Sequence, residues 1–323
     1  SDNLYGTGHS LDNLIIGNAG NNLLSGGGGS DSFDARLGID TVLGENGNDT
    51  ALVAKGSFDG GIGNDTASND AVDDTGGNGF GWILNGNYVG AASTLSGIAG
   101  ALSAGGSYQL YNNQSGVQLT LSNVENLNFL SGSAGNDLAI ALGNGSTFNG
   151  GDGTDTFFAD WSGVSGKVTW DGDSGNGAAT TGFEHYLLIT GAGNDQLGRI
   201  STSDYTEFST GDGNDTANVS LGSYDGGIGS DTADIEAADT TSGNGFGWIL
   251  NGNYLGAGSS LASVNSALAL GSSYQLYNNA IGVQLTLSNV ENLNFLAGSA
   301  GNDLAFALGT GTTYRGAGGI DTF

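Results

Sequence analysis

The chain has 323 residues, 63 of them glycine, and sets 5 lysines and arginines against 33 aspartates and glutamates, a formal net charge of −28. It has no cysteine, proline or methionine, which excludes a disulfide framework, thiol chemistry, thiolate zinc sites and collagen. So acidic a surface excludes nucleic acid and anionic membrane as partners, since both need a basic face, and no apolar run is long enough for membrane insertion.

From Gly8 to Thr50 five nonapeptides stand in register. Their sixth positions are Asn13, Asn22, Asp31, Asp40 and Asp49, and their eighth positions are Ile15, Leu24, Phe33, Val42 and Ala51. Glycines in the first six positions let the backbone turn through positive φ, and the last three predict a short strand whose middle residue points inward. One apolar residue per nine makes a thin core, so packing alone is marginal. After Asp49 the period slips, with Asp65 sixteen residues on. An acidic connector at 68–75 leads into a different texture. There, aromatic and β-branched alternation predicts strands at 82–84, 108–111 and 117–121, and Leu95, Ile98 and Leu102 predict a short helix over 94–102.

Glycine–aspartate turns resume at Asp137 and Asp155. The half-repeat between them has Ser146 at its acid position and Phe148 inward. A shorter interruption runs to Thr190, followed by Asp195. From there the chain repeats itself: Trp248, Tyr274, Glu291, Asp303 and Asp321 lie 166 residues beyond Trp82, Tyr108, Glu125, Asp137 and Asp155. Asp49 and Asp65 recur likewise as Asp215 and Asp231. The predicted roll segments are 1–67, 131–160, 191–233 and 297–323. The β-rich inserts are 68–130 and its duplicate 234–296, with a short insert at 161–190. The sequence opens in mid-pattern without a signal region and stops at the counterpart of Phe157, so a piece of a longer repeating protein is expected.

Two nonapeptides make one coil, so acids about eighteen residues apart share an edge, and parallel strands stack about 4.8 Å apart. Two carboxylates and the turn carbonyls between them then reach one hard cation. Calcium takes six to eight oxygens at about 2.3–2.6 Å, whereas magnesium demands stricter geometry and keeps its waters. This places multiple Ca2+ ions on Asp31, Asp49 and Asp65, on Asp137 and Asp155, on Asp195, Asp215 and Asp231, and on Asp303 and Asp321. The opposite edge keeps Asp40 and Asp204, while Asn13 and Asn22 take an edge that depends on the count; elsewhere that edge carries Lys55-Gly56, Ser146 or Leu221-Gly222. The carbonyls assigned to the metal belong to Gly27, Gly29, Gly47, Gly61, Gly63, Gly151, Gly153, Gly211, Gly213, Gly227 and Gly229. The competing reading is a set of metal-free Asx-turns; the shared Gly-x-Asp form and the net charge favour the cation. Nearly all the acids are aspartate, and the glutamates at 125, 184 and 291 read equally as extra ligands or as coil caps. His9 and His185 lie apart without a nucleophile motif, so no catalytic residue is assigned and no enzyme is expected. Trp82 and Trp248, with Tyr88 and Tyr254, read as insert core, with a sugar platform as the alternative.

The runs Gly26-Gly27-Gly28-Gly29-Ser30-Asp31-Ser32-Phe33, Gly150-Gly151-Asp152-Gly153-Thr154-Asp155-Thr156-Phe157 and Gly226-Gly227-Ile228-Gly229-Ser230-Asp231-Thr232-Ala233 resemble RTX (repeats-in-toxin) hemolysin-type calcium-binding repeats, a likeness covering about half the chain. The resemblance implies an all-β fold, a right-handed parallel β-roll or β-helix solenoid, that folds on extracellular calcium after type I secretion. Asn13, Asn22 and Ser146 depart from the repeat. The expected function is a calcium-dependent structural region of a bacterial cell-surface protein, S-layer or giant adhesin, that self-associates or meets neighbouring repeats. The alternatives are the secretion module of an enzyme or toxin, and a module on the inserts that binds cell-surface glycan.

Overall fold

The computed structural model describes residues 2–69, 77–103, 106–143, 145–236, 244–269, 273–310 and 313–323; residues 70–75 of the expected acidic connector lie outside them. The chain divides into two compact units, one of residues 1–159 and 177–185, the other of 160–176 and 186–323.

The first unit opens with strands β1 (Tyr5–Thr7), β2 (Leu14–Ile16), β3 (Leu23–Gly28), β4 (Ser32–Asp34), β5 (Asp40–Asn46), β6 (Thr50–Leu52), β7 (Gly56–Asp59) and β8 (Thr66–Asn69). The odd strands form one parallel sheet and the even strands another, so each coil gives one strand to each sheet. Such a winding is a β-roll. Leu23 lies opposite Thr41 and Ser32 opposite Thr50, an eighteen-residue coil. The next coil has sixteen, with Asp40 opposite Gly56 and Thr50 opposite Thr66. Gly56 permits the shortening: its φ is 120°, and a Cβ there would lie 1.9 Å from the Asp40 carbonyl oxygen. The inward residues Leu24, Phe33, Val42, Ala51, Phe58 and Ala67 are all buried. Ile15, in the first full repeat, is half-buried.

The aromatic segment brings β9 (Phe80–Leu84), β10 (Asn87–Val89), α1 (Leu95–Leu102), β11 (Ser107–Asn112), β12 (Gly116–Ser122) and β13 (Asn126–Phe129). Asn85 and Gly86, at φ 52° and 84°, form the two-residue turn that an Asn-Gly pair favours between β9 and β10. Thr94 caps α1 by accepting from Gly97 N, and Ile98 and Ala101 are the buried face. β10, β9, β11 and β12 pair antiparallel. β12 then pairs in parallel with β7, and β13 with β8. The sheets of the roll therefore run on through residues 116–129, and the hairpin and helix extend one of them. The roll continues with β14 (Leu138–Ala141), β15 (Thr147–Asn149) and β16 (Thr156–Trp161), with Leu138 opposite Thr156 and Phe129 opposite Phe148.

In the second unit, Trp161, Trp170 and Tyr186 pack with ring centroids 5.8 and 5.9 Å apart. Thr169–Trp170, Gln196–Leu197, Thr216–Val219, Thr232–Glu236 and Asn292–Ala297 pair successively in parallel. Tyr205–Ser209, Leu221–Asp225 and Gly282–Ser288 do the same on the other face, and Ser273–Asn278, Phe246–Leu250 and Asn253–Leu255 extend it antiparallel. Gly222 shortens this coil as Gly56 does its counterpart, with φ 109° and a Cβ position 2.0 Å from Thr206 O. A second helix, Leu261–Leu268, repeats α1.

The indoles of Trp82 and Trp248 are fully buried, and each Nε1 donates to a backbone oxygen, Leu138 O at 2.9 Å and Leu304 O at 2.8 Å. They are core, which removes them from any sugar platform. Tyr88 and Tyr254, expected with them in the core, are instead about half exposed, at 52% and 51%. Each follows the Asn-Gly turn on a hairpin strand whose inner neighbour takes the core position.

Candidate metal centre

The aspartates of the turns form ladders along one edge of each roll. In the first unit Asn13 N donates to Asp31 Oδ1, Asp31 N to Asp49 Oδ1 and Asp49 N to Asp65 Oδ1, each at 2.7 Å. Asp137 N donates to Asp155 Oδ1 at 2.7 Å. In the second unit Val168 N reaches Asp195, Asp195 N reaches Asp215 and Asp215 N reaches Asp231, at 2.7, 2.7 and 2.8 Å. Asp303 N reaches Asp321 at 3.0 Å. The expected edge groups are thus brought together. Asn13 joins the Asp31 ladder, while Asn22 lies on the other edge and donates its N–H to Asp40 Oδ1 at 2.7 Å. Asp204 stands apart: its Oδ2 accepts from Ile200 N and Ser201 N, as in a metal-free local turn. Ser146 is exposed, and its N–H donates to Asn128 Oδ1.

Glutamate closes three of these ladders. Glu125 Oε2 accepts from Asp65 N at 2.8 Å, Glu184 Oε2 from Asp155 N at 2.9 Å and Glu291 Oε2 from Asp231 N at 2.9 Å. All three make the coil-cap bond. Their longer side chain substitutes for an aspartate in the next coil, sixty residues away in two cases.

Each ladder bond uses one carboxylate oxygen. The other, Oδ2, is buried and without a hydrogen-bond partner at Asp31, Asp40, Asp49, Asp65, Asp155, Asp195, Asp215 and Asp231. An unpaired buried anion is costly, and eight in one fold call for a cation. The chemistry of that cation is visible at Asn22, where an amide nitrogen stands at the equivalent point. Asn22 Nδ2 donates to Gly20 O at 2.6 Å, Asn18 O at 3.0 Å, Ala35 O at 3.4 Å and Asp40 Oδ1 at 2.7 Å. Four oxygens surround one neutral amide NH2, which meets them with partial positive charge only. By the same offsets, the Asp31 turn offers the carbonyls of Gly27, Gly29 and Gly44 and Asp49 Oδ1, with Asp31 Oδ2 added. A Cβ on Gly26 would lie 2.1 Å from that Oδ2 and 3.0 Å from Gly44 O, so only glycine leaves these oxygens facing the turn. An all-oxygen set of this kind suits calcium.

Among the described residues no three His, Cys, Asp or Glu side chains cluster about one point. The donor set explains this, because backbone carbonyls supply what additional side chains would. Glycines at the assigned positions also let the coils approach. A Cβ on Gly47 would lie 1.8 Å from Gly29 O, on Gly63 1.7 Å from Gly47 O, and on Gly213 1.7 Å from Gly193 O. Gly61, Gly151, Gly153, Gly211, Gly227 and Gly229 are held against the preceding coil's carbonyls in the same way.

Residues 7–42 match the family model of the RTX calcium-binding nonapeptide repeat, in four copies. That segment is an array of RTX-type calcium-binding repeats. No curated protein matches the chain. The matched RTX segment contains Asn13, Asn22, Asp31 and Asp40, so the family pattern and the oxygen cage around Asn22 describe the same turns. Burial is the main cause that pushes Asp155 up to about 7 and Asp231 to about 6, against the ladder N–H bonds that pull them down. Asp49, Asp65 and Asp215 are raised for the same chief reason. Neighbouring carboxylates add to each rise, so the aspartate edge carries more buried negative charge than protein groups compensate.

A second ladder, which the repeat spacing did not suggest, runs the opposite way along the residue before each aspartate. Ser30 N donates to Asp12 Oδ1 at 2.7 Å, Asn64 N to Asn48 at 3.0 Å, Asn214 N to Asn194 at 2.9 Å and Ile320 N to Asn302 at 2.7 Å. The signal for it is in the sequence, in the recurrent asparagine of Gly-Asn-Asp.

Proposed function

We propose that this chain is a calcium-dependent structural region of a secreted bacterial cell-surface protein, an S-layer or giant adhesin, and that it has no catalytic role. The observation that carries the reading is the reuse of a whole architectural unit. Phe246, Trp248, Glu291 and Asp303 make the hydrogen bonds that Phe80, Trp82, Glu125 and Asp137 make 166 residues earlier. A surface array lengthens by repeating such a unit, whereas an enzyme needs its site once. RTX repeats suit export, because ions that bind only the folded state add about 2.7 kcal/mol per site at a hundredfold excess over Kd. The chain then stays open where calcium is scarce and closes outside the cell, by the type I route. Among the described residues no helix is long and apolar enough to cross a membrane.

An antibody raised against the folded coils of residues 23–69 tests this on cells that make the protein. We expect it to label intact cells in calcium and to lose its folded epitope in EGTA. Labelling only after permeabilisation would overturn the proposal.

A further inference from the structure

Two turns on the aspartate edge differ from the rest. At Asp137 both carboxylate oxygens are engaged by the chain itself: Oδ2 accepts from Ser133 N at 2.6 Å and Ser133 Oγ at 3.0 Å, and Oδ1 accepts from Phe80 N. Asp303 repeats this, with Ser299 N on Oδ2 at 2.7 Å, Ser299 Oγ on Oδ1 at 2.9 Å and Phe246 N on Oδ1 at 2.7 Å. The serine oxygens are held in turn by Gly135 N and Gly301 N, both at 2.9 Å. All four side chains are buried.

The position four residues before the aspartate differs in its side chain. It is glycine at Gly27, Gly61, Gly151, Gly191, Gly211 and Gly227 and glutamate at Glu45, but serine at Ser133 and Ser299. The serine adds a hydroxyl donor beside the backbone N–H on the carboxylate, which at Asp31, Asp49, Asp65, Asp155, Asp195, Asp215 and Asp231 keeps one oxygen without a donor. A carboxylate so held has a donor on each oxygen, so neither oxygen is left open as a cation ligand.

We propose that Ser133 and Ser299 take the place of the cation at these two turns, so that Asp137 and Asp303 are calcium-independent latches fastening each insert to the roll. The proposal rests on the calcium reading of the other turns. Each latch joins the first strand of an insert, through Phe80 or Phe246, to the coil where the glycine turns resume. The inserts and their latches then stay folded when the remaining turns lack calcium, and provide the surface on which the coils rewind.

Amide hydrogen exchange of the whole chain in EGTA and in calcium tests this, with calcium binding followed by calorimetry. In EGTA we expect amides at 80–84, 133–141, 246–250 and 299–305 to exchange at least about tenfold more slowly than those at 23–34 and 205–217. Changing Ser133→Gly and Ser299→Gly together is expected to abolish that difference and raise the calcium stoichiometry by two, while Ser133→Thr with Ser299→Thr keeps both at the parent values. Equally fast exchange in all these segments of the parent, with calcium binding intact, would overturn this inference alone. No heat on calcium addition would overturn the calcium reading and this inference with it.

Discussion

A turn aspartate here does two jobs with two oxygens. One caps the backbone of the preceding coil; the other waits for a positive charge. Substitution separates them. Asp49→Asn keeps the Oδ1 acceptor for Asp31 N and puts an amide where Asn22 has one, so the coil should hold in calcium while the ion stoichiometry falls. Asp49→Ala removes both functions and should cost about 1–3 kcal/mol in urea unfolding with calcium present. Equal stoichiometry for parent and Asp49→Asn would show that Oδ2 is not a ligand.

The raised carboxylates also fix a pH dependence for the metal-free chain. Burial lifts Asp155 to about 7 and Asp231 to about 6, above the ordinary 3.8. The folded state therefore binds protons more tightly than the unfolded one. The resulting stabilisation is fully present below the ordinary value and is lost as pH rises through about 6 to 7. In EGTA, circular dichroism should show more strand at pH 4.5 than at pH 8, and calcium should become progressively more necessary across that interval. A strand signal that grows with pH in EGTA would have the wrong sign.

At the scale of the coil, length and closure are set by single residues. Gly56 carries φ 120° against Asp40 O, so Gly56→Ala should cost at least about 2 kcal/mol, whereas Gly86→Ala, whose Cβ meets nothing within 4 Å, should cost about 1 kcal/mol for its positive φ alone. Matching losses for the two in thermal denaturation would deny the close approach. Glu125 caps through Oε2, so Glu125→Gln should preserve calcium stoichiometry and lose less stability than Glu125→Ala. A fall in stoichiometry with Gln would make Glu125 a ligand. Much of this level was legible in the sequence. Eighteen-residue spacing placed Asp31 beside Asp49, the sixteen-residue slip became the short coil at Gly56, and the apolar spacing at 95, 98 and 102 became a capped helix. The pairings of Asp65 with Glu125 and of Phe80 with Asp137 were not legible. They depend on where the insert's strands re-enter the sheets, which no local period encodes. Ser133 occupies a glycine position, and its significance appears only once its hydroxyl is seen on the carboxylate.

Across the whole molecule, the thin apolar line of the early coils, one buried residue per strand at Leu24, Phe33, Val42, Ala51, Phe58 and Ala67, and the net charge of −28 act in the same direction. Neither favours a compact chain in the absence of cations, and the buried Oδ2 atoms place the shortfall on the turn edge. Calcium bound there supplies, through several sites acting together, what the core does not. The inserts behave differently, since fully buried Trp82 and Trp248 give them apolar cores of their own. The most direct test is a calcium titration of this 323-residue chain from EGTA, followed together by circular dichroism and calorimetry, with magnesium as control. The account predicts a cooperative gain of strand signal with calcium, from a residual signal due to the inserts, heat from several ions, and no comparable change with magnesium. A spectrum that EGTA leaves unchanged would contradict it.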